Sequence, residues 1–185
     1  MTPWHLRQAA SILHAGGIIA YPTETVFGLG CDPLNPDGIV RLLALKQRPL
    51  EKGLILIGAQ LEHLRPYIDV SDDKLLQKLQ TPTPHPTTWV VPARKHTPSW
   101  LTGQHDSIAV RITSNPIAAE ICNRFNGAIV STSANPAGLP PARSALNVKR
   151  YFDDKLDYLL HAVIKPDTKP SEIRDLISGK RFRSS

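Results

Sequence analysis

The pattern of apolar and polar positions along the chain predicts strands that alternate with helices. Short apolar runs between turn residues are typical of buried strands, and apolar residues that recur every three or four positions are typical of amphipathic helices. The strand pattern occurs at residues 17–21, 53–58, 88–93, 107–112, the first half of 128–135, and 157–164. The helix pattern occurs at residues 4–15, 37–46, 115–125 and 144–152, and in two pieces between 60 and 80. A polar tail is expected at the end of the chain.

This alternation predicts an α/β fold. Helices that connect successive strands pack on the faces of a sheet, which gives three layers around one core. Some neighbouring strands have no helix between them, so we expect mixed strand directions. The prediction is a single three-layer domain with one twisted mixed β-sheet flanked by helices.

Particular residues mark the predicted ends of the helices. Asp37 is a candidate N-cap for the second helix, whose apolar positions lead to Lys46 and which must end before Pro49. Pro116 suits the first turn of a later helix, and Gly127 is predicted to end that helix.

The composition is that of a globular protein with one domain. At 185 residues the chain is long enough to bury its own core but too short for a second domain of ordinary size. Apolar residues make up 41% of it, and no stretch approaches the ~20 apolar residues of a membrane helix. Cys31 and Cys122 lie far apart without a CxxC, so the reducing cytoplasm is the expected compartment.

The net charge of +6 favours anionic partners such as nucleotides or RNA, although a merely soluble basic surface explains it equally well. The usual motifs for nucleotides are absent. No GxxxxGK[ST] phosphate loop occurs, and Gly28-Leu29-Gly30 lacks the third glycine of a dinucleotide fingerprint. The seven histidines show no paired-ligand spacing, so no structural metal is assigned.

Four polar clusters lie at the ends of predicted core elements, where open α/β sheets place their ligand sites. The first is Thr23, Glu24 and Thr25, directly after the strand at 17–21. These side chains can form hydrogen bonds with a small polar ligand. A turn after Pro22, whose hydroxyls satisfy their own backbone, explains them equally well.

The second cluster is the pair Lys46 and Arg48, where a helix gives way to a chain that Pro49 holds extended. Side chains two positions apart in an extended chain point the same way, so both cations could converge on one polyphosphate. The alternative is that they complement the dipole at the C-terminal end of the helix.

The other two clusters lie on and after later strands. Arg111 sits in the otherwise apolar strand at 107–112, where an unpaired charge is costly, so we expect it to face a carboxylate of the protein or of a ligand. Ser131, Ser133 and Asn135 follow a buried strand at alternate positions, which puts three hydrogen-bonding side chains on one side of a loop. An ordinary loop is the alternative for these three residues.

The segments "YPTETVFGLG", "LKQRP", "AVRI" and "VSTSAN", in this order and at these separations, closely resemble the YrdC-like family of L-threonylcarbamoyladenylate synthases. The family's signature is a KxR pair followed much later by SxN, and each half is weak alone. The resemblance runs from about residue 16 to residue 183. The segments "GLILIGA", "SWLTG" and "PSEIRD" resemble the short bacterial branch, which implies one YrdC-like domain over residues 1–185 with no additional C-terminal domain.

The resemblance implies a nucleotidyltransferase. Members of the family convert L-threonine, bicarbonate or CO2, and ATP to threonylcarbamoyl-AMP and pyrophosphate, and Mg2+ is expected to accompany the ATP. Other proteins then transfer the threonylcarbamoyl group to the adenosine beside the anticodon in tRNAs that read codons starting with A. These transfer proteins are expected partners, and tRNA or another RNA is a further candidate partner for the basic face.

The resemblance also assigns roles to individual residues. The threonine-pocket positions of the family fall on three residues: Thr23, Arg111 and Ser171. Its nucleotide-binding positions fall on six residues: Lys46, Arg48, Ser131, Ser133, Asn135 and Arg183. Lys46 and Arg48 are the catalytic candidates, because fixed cations neutralise the charge that develops on phosphate oxygens as pyrophosphate leaves. Arg111 is expected to pair with the carboxylate of threonine.

Two segments depart from the family pattern. Pro84-His85-Pro86 replaces Pro-Gly-Pro, and "KPDTK" at 165–169 replaces a glycine-rich loop expected beside the pocket. Two alternatives therefore stay open: a nucleotide-binding homologue that has lost activity, and an RNA-binding or ribosome-maturation factor without catalysis. Aromatic residues are only 6% of the chain and do not interleave with the basic residues, which speaks against an RNA-stacking surface.

Overall fold

A computed structural model describes residues 2–164 and 171–183 of the protein. Within these ranges the chain forms seven α-helices: α1 (Pro3–His14), α2 (Pro36–Lys46), α3 (Leu61–Leu64), α4 (Asp73–Gln80), α5 (Ser99–Thr102), α6 (Pro116–Phe125) and α7 (Ala145–Phe152). None of the helices in this described part is long and apolar enough to cross a membrane. The same residues form ten strands: β1 (Ile19–Pro22), β2 (Phe27–Gly30), β3 (Ile55–Gly58), β4 (Thr87–Pro92), β5 (Ser107–Ile112), β6 (Ile129–Val130), β7 (Thr132–Ser133), β8 (Tyr158–Leu159), β9 (Glu172–Asp175) and β10 (Arg181–Arg183).

The strands form two mixed sheets. The smaller sheet has the order β7-β2-β1-β8, in which β1 is antiparallel to β2 and parallel to β8. The larger sheet has the order β10-β9-β4-β5-β3-β6, with parallel pairs β3–β5 and β4–β9 and antiparallel pairs elsewhere. The predicted α/β class and mixed strand directions are confirmed. The strands divide between two sheets, where the sequence predicts one, because β1 turns back after Pro22 and pairs with its own continuation, β2.

Three strands have no local pattern that predicts them. The sequence of β2 is Phe-Gly-Leu-Gly, and glycines weaken a strand pattern. β9 and β10 lie in the segment expected to be a polar tail, where that expectation is wrong. β9 is fixed by pairing with distant chain, because it runs parallel to β4 with Thr87 opposite Glu172 and Val90 opposite Asp175. β10 then pairs with β9 as the second strand of a hairpin. Conversely, β8 covers only two residues of the predicted strand at 157–164.

Two predicted caps are also wrong by one or two positions. Asn35, and not Asp37, caps α2, because its Oδ1 accepts a hydrogen bond from the Gly38 amide at 2.8 Å. Asp37 lies in the first turn, where a negative charge complements the helix dipole. Asn126, and not Gly127, ends α6 in the left-handed conformation, with φ of 57°, which asparagine tolerates.

The buried side chains form two apolar clusters, one on each side of β1. Ile18 and Ala20 belong to the larger cluster, whereas Ile19 and Tyr21 belong to the smaller one, where α1 and α6 pack together against the strands. β1 is therefore buried on both faces, which explains its uninterrupted apolar run. This strand carries the "PTET" segment to the edge of a cleft.

Candidate active site

A cleft of about 490 Å³ is lined by residues of both sheets and of the loops that follow them. Seven of the residues predicted from the sequence line this cleft: Thr23, Arg48, Arg111, Ser131, Ser133, Ser171 and Arg183. They come from positions spread over 160 residues of chain and were predicted as one site. Lys46 and Asn135 are not among the described lining residues, and they contact the cleft wall from behind.

The cleft is electropositive. Its described lining residues include four cations, Arg48, Lys52, Arg111 and Arg183, and no aspartate or glutamate. Cations gathered in a concave wall attract and hold anionic ligands such as phosphates and carboxylates. The composition of the wall thus fits an anion that carries several charges.

Arg111 is anchored from behind by Glu24. The Nη2 atom of Arg111 lies 3.5 Å from Oε2 of Glu24, and both side chains are nearly nine-tenths buried. The Nε atom of Arg111 is buried and makes no hydrogen bond within the described residues. An arginine that uses one side for an internal carboxylate and lines a cleft with the other can bind a ligand carboxylate there.

Glu24 joins the "PTET" turn to the end of β5. Its Oε1 accepts hydrogen bonds from the Thr113 hydroxyl at 2.7 Å, the Ser114 amide at 3.0 Å and the Asn115 amide at 3.1 Å. Burial raises the pKa of Glu24, but the charge of Arg111 and the hydrogen bond from Thr113 lower it more, so the pKa lies below its ordinary value. Glu24 is therefore an ionised link between two cleft segments.

Thr23 lines the cleft, but its hydroxyl hydrogen is used within its own turn. The hydroxyl donates to the Val26 carbonyl at 2.7 Å and lies 3.4 Å from the amides of Thr25 and Val26. The turn that the sequence offered as an alternative to a ligand site is thus present, and Thr23 in that turn also lines the cleft. Towards a ligand, the Thr23 oxygen acts as an acceptor.

Lys46 and Arg48 do not point the same way, so the predicted convergence is wrong. Gln47 between them adopts the left-handed conformation that ends α2, with φ of 50°. The chain is therefore not extended there. The buried Lys46 ammonium donates to the carbonyl oxygens of Ser133 and Asn135, the latter at 2.9 Å. Burial, with a smaller contribution from Arg48, lowers the pKa of Lys46 to about 8.

Arg48 does line the cleft. Its Nη2 atom donates to the Gly53 carbonyl at 3.0 Å, and its Nε atom is buried without a hydrogen bond to any described residue. Burial lowers the pKa of Arg48 below the ordinary value for arginine, which leaves the side chain charged at neutral pH. This guanidinium is held at one end and has donors left for an anion.

The loop from Ser131 to Asn135 is braced on both sides. The Ser133 hydroxyl donates to Oδ1 of Asn135 at 2.6 Å, and Nδ2 of Asn135 donates to the Leu139 carbonyl at 2.7 Å. Asn135 therefore shapes the loop, while Ser131 and Ser133 present their side chains to the cleft. Together with the bonds from Lys46, these contacts fix the position of Ser133.

The hairpin of β9 and β10 closes another wall. The Nε and Nη2 atoms of Arg183 donate to the Ser171 carbonyl at 3.0 and 2.7 Å, and Nη2 lies 3.1 Å from the Ser171 hydroxyl. The Ser171 hydroxyl is 3.2 Å from that of Thr88 on β4. Burial, and then the nearby charge of Arg111, lower the pKa of Arg183. The predicted residues of the final segment thus belong to an ordered part of the cleft.

Comparison with known proteins identifies the family. The family model for Sua5, YciO and YrdC proteins, described as "Telomere recombination", matches residues 11–184. The chain belongs to the Sua5/YciO/YrdC family. A threonylcarbamoyl-AMP synthase from Cellvibrio japonicus is 49% identical over 189 residues, which cover 100% of both chains. Another from Pseudomonas aeruginosa is 49% identical over 175 residues, which cover 95% of this chain and 94% of that one. The resemblance predicted from the sequence is confirmed.

Solved structures of the Sua5/YciO/YrdC family have the same fold. P. abyssi Sua5 complexed with L-threonine matches with a TM-score of 0.89 and 29% identity, over 98% of this chain and 53% of the P. abyssi chain. E. coli YciO matches with a TM-score of 0.79 over 97% of this chain and 90% of its own, and at 24% identity it shows the fold alone.

Several lining residues of this family member were missed by the sequence analysis. They are Lys52, Thr88, His105 and Phe182. Thr88 is a strand residue without exposed surface, and threonine is common in strands, so nothing in the local pattern marks it. Phe182 could have been predicted as a site residue, because it is an aromatic residue between two arginines.

The two departures from the Sua5/YciO/YrdC pattern have different outcomes. His85 does not adopt a positive φ, and its carbonyl accepts hydrogen bonds from the hydroxyls of Thr83 at 2.6 Å and Thr87 at 3.0 Å. Two threonine hydroxyls thus hold the turn that glycine was expected to make. The other departure, at 165–169, lies outside the described residues.

Proposed function

We infer that this chain is a threonylcarbamoyl-AMP synthase, which converts L-threonine, bicarbonate or CO2, and ATP to threonylcarbamoyl-AMP and pyrophosphate. The observation that carries the inference is one cleft that gathers Arg48, Arg111 and Arg183 with the serines of the 131–135 loop. Relatives that match the chain over its full length bear the name of this synthase. Their names favour catalysis over an RNA-binding factor without chemistry.

Threonine is proposed to bind at the Arg111 end of the cleft. The Arg111 guanidinium forms charge-assisted hydrogen bonds with the carboxylate of the amino acid. The Thr23 oxygen accepts from a donor of the ligand, because its own hydrogen is held by Val26. Ser171, beside Arg183, completes this end. P. abyssi Sua5, which has the same fold, was solved in complex with L-threonine.

The chemistry needs charge neutralisation more than acid–base catalysis. The amine of threonine adds to CO2 and loses a proton, which forms a carbamate. A carbamate oxygen then attacks the α-phosphorus of ATP, and the bond from that phosphorus to pyrophosphate breaks. Negative charge spreads over phosphate oxygens in this step, and Arg48 and Arg183 are the proposed stabilisers. Lys46 is proposed to contribute through the loop that its ammonium holds.

Ser131 is proposed to donate to the nucleotide, and Ser133, whose hydrogen is held by Asn135, is proposed to accept from it. Asn135 is proposed to set the loop that presents both serines. Mg2+ is proposed to enter with ATP, held mainly by phosphate oxygens, which are its preferred ligands. The described residues contain no group of three or more histidine, cysteine, aspartate or glutamate side chains that could hold the ion alone. The metal would share the neutralisation of phosphate charge with the arginines.

The product is an activated threonylcarbamoyl donor, so proteins that transfer this group to tRNA are its proposed consumers. Because the acceptor is the adenosine beside the anticodon, the cytoplasm is the proposed location. The basic surface is a proposed contact for tRNA.

The test is an incubation of the purified protein with ATP, bicarbonate and radiolabelled threonine. We expect pyrophosphate release and a labelled AMP adduct, both of which require threonine. Folded protein that forms neither would contradict the enzyme. Under that outcome, nucleotide binding without turnover indicates an inactive homologue, and RNA binding without nucleotide binding indicates the non-catalytic factor.

A further inference from the structure

Tyr21 lies directly behind the cleft and contacts it through one hydrogen bond. The residue has no exposed surface and packs in the smaller apolar cluster between α6 and the strands. Its hydroxyl donates to Oγ of Ser131 at 2.8 Å, and Ser131 lines the cleft. The only polar atom of a large buried side chain is thus aimed at a residue of the proposed nucleotide loop.

Two glycines of β2 make room for the tyrosine ring. A Cβ on Gly28 would lie 3.3 Å from Cζ of Tyr21, and a Cβ on Gly30 would lie 2.9 Å from Cε1 of the ring and 2.8 Å from the Val130 carbonyl. Any larger residue at Gly30 would therefore displace the ring or the backbone that leads into Ser131. The sequence Phe-Gly-Leu-Gly provides the space that this contact requires.

The hydrogen bond determines what Ser131 can do. A serine hydroxyl has one hydrogen and two lone pairs, and the hydrogen of Tyr21 occupies one lone pair. Within the described residues the Ser131 hydroxyl donates to no acceptor, so its hydrogen is available to the cleft. Burial raises the pKa of Tyr21 well above its ordinary value, so the phenol stays protonated at every pH of a normal assay.

We propose that Tyr21 is a positioning residue, which holds the Ser131 hydroxyl with its hydrogen directed at a phosphate oxygen of ATP. This proposal rests on the proposed function, because it takes the anion beside Ser131 to be the nucleotide. It adds a residue from the buried core to the machinery of the site. It also gives a chemical reason for the tyrosine that precedes the "PTET" segment.

Tyr21→Phe removes the hydroxyl and keeps the ring. We expect the KM for ATP to rise about fivefold to tenfold, as for one lost hydrogen bond between neutral groups, and the KM for threonine to stay within about twofold. Ser131→Ala is expected to have an effect of the same size. The double variant is expected to be no worse than Ser131→Ala alone, because Tyr21 acts only through that hydroxyl.

Tyr67→Phe is the matched control. Tyr67 is also a buried tyrosine, but it belongs to the larger cluster and is not among the described lining residues. Its variant is expected to keep both KM values. An equal rise of the KM for threonine in Tyr21→Phe, or additive effects in the double variant, would overturn the proposal and indicate a general loss of packing.

Binding of a non-hydrolysable ATP analogue, measured by calorimetry well below the melting temperature, separates this proposal from the proposed function. Weaker analogue binding in Tyr21→Phe supports the positioning role, even where the wild-type protein shows no turnover. Wild-type turnover together with unchanged analogue binding in Tyr21→Phe refutes it. If Tyr21→Phe does not fold, Ser131→Ala serves in its place, and unchanged analogue binding in that variant also refutes the proposal.

Discussion

Arg111 at the end of β5 and Lys46 at the end of α2 are both buried cations, with 8% and 6% of their surface exposed, yet they face opposite ways. Arg111 has a carboxylate behind it and lines the cleft, whereas the ammonium of Lys46 is taken by two carbonyls of the 131–135 loop. A guanidinium can serve two partners on different sides, because its five donors are spread over a planar fork. The three donors of an ammonium radiate from a single atom.

The comparison teaches that charge and burial do not identify a ligand-binding cation. Such a cation is identified by hydrogen-bond donors that face the cleft and that the protein does not use itself. By this criterion Arg48 belongs with Arg111, since it lines the cleft and its Nη2 atom makes its hydrogen bonds to the described residues. Lys46 belongs with the residues that support the wall.

The largest effect on activity is expected from substitution of Arg48. This substitution tests whether a cation with unused donors takes part in the reaction. Arg48→Ala is expected to lower kcat/KM by about 100-fold to 1,000-fold, the order found when a preorganised charge stabiliser is removed. Pyrophosphate release measures the change. Arg65→Ala is the control, because Arg65 is an exposed arginine at the end of α3. An unchanged kcat/KM in Arg48→Ala would remove this residue from the reaction.

Glu24→Gln tests the carboxylate behind Arg111. At pH 7 we expect a loss of about 3 kcal/mol in the free energy of unfolding, because a buried charge loses its partner. The folded pKa of Glu24 is depressed, so its stabilisation is present above the unfolded pKa of about 4.3 and is lost as the pH falls through the folded value.

Urea unfolding at pH 7 and pH 3 measures this effect. The gap between wild type and Glu24→Gln is expected to narrow at the lower pH. Glu62→Gln, at an exposed position on α3, is the control and is expected to show no such gap. A gap that stays constant with pH would mean that Glu24 acts through shape and not through charge.

Arg111→Lys sharpens the assignment of the threonine pocket while keeping a positive charge beside Glu24. Loss of the bidentate contact is expected to raise the KM for threonine about 30-fold and to leave the KM for ATP within about threefold. Steady-state kinetics with each substrate varied in turn provide the measurement. Equal weakening of both substrates would show that the pair of Arg111 and Glu24 is only structural.

The smallest effect is expected at Lys46. Lys46→Met leaves two loop carbonyls without a donor, and we expect the KM for ATP to rise about fivefold to tenfold. Lys46→Gln, which keeps a neutral donor, is expected to recover part of the loss. Recovery by a neutral side chain separates a donor that shapes the loop from a charge that acts on phosphate.

The pH dependence of wild-type activity provides a second test of Lys46. Above its pKa of about 8 the neutral amine still has two hydrogens for the two carbonyls. The ratio of kcat/KM at pH 9 to that at pH 7 should therefore match the ratio for Lys46→Arg, whose charge does not titrate. A steeper fall in the wild type would make Lys46 a direct charge stabiliser.

Local patterns predicted the elements whose burial is continuous, such as β1 and β5. They failed for β2, β9 and β10, which depend on pairing more than on their own residues: β2 pairs with β1 and with the distant β7, β9 pairs with the distant β4, and β10 pairs with β9. The division into two sheets depends on the turn after Pro22. It could not be predicted, because a pattern of apolar runs does not indicate which strands pair with each other.

The sequence indicated which segments meet at one cleft, but not how their side chains are oriented. The combination of KxR, Arg111 and SxN points to segments that the fold brings to one cleft. The direction of the Lys46 side chain could not be predicted, because it depends on the left-handed backbone conformation of Gln47. Glycine is the usual residue in that conformation, so a glutamine gives no sign of it in the sequence. Thr88 and Tyr21 were missed because each looks like an ordinary strand residue until its hydroxyl partner is known.

The hairpin of β9 and β10 supplies Ser171, Phe182 and Arg183 to the cleft, although it follows every other described strand in the chain. A ribosome therefore adds this wall after the smaller sheet and the rest of the larger sheet have been synthesised. The cleft therefore cannot close around a substrate until the last described strands are made. The same segment brings Leu176, a fully buried residue of the larger apolar cluster, so completion of the core and completion of the cleft are coupled.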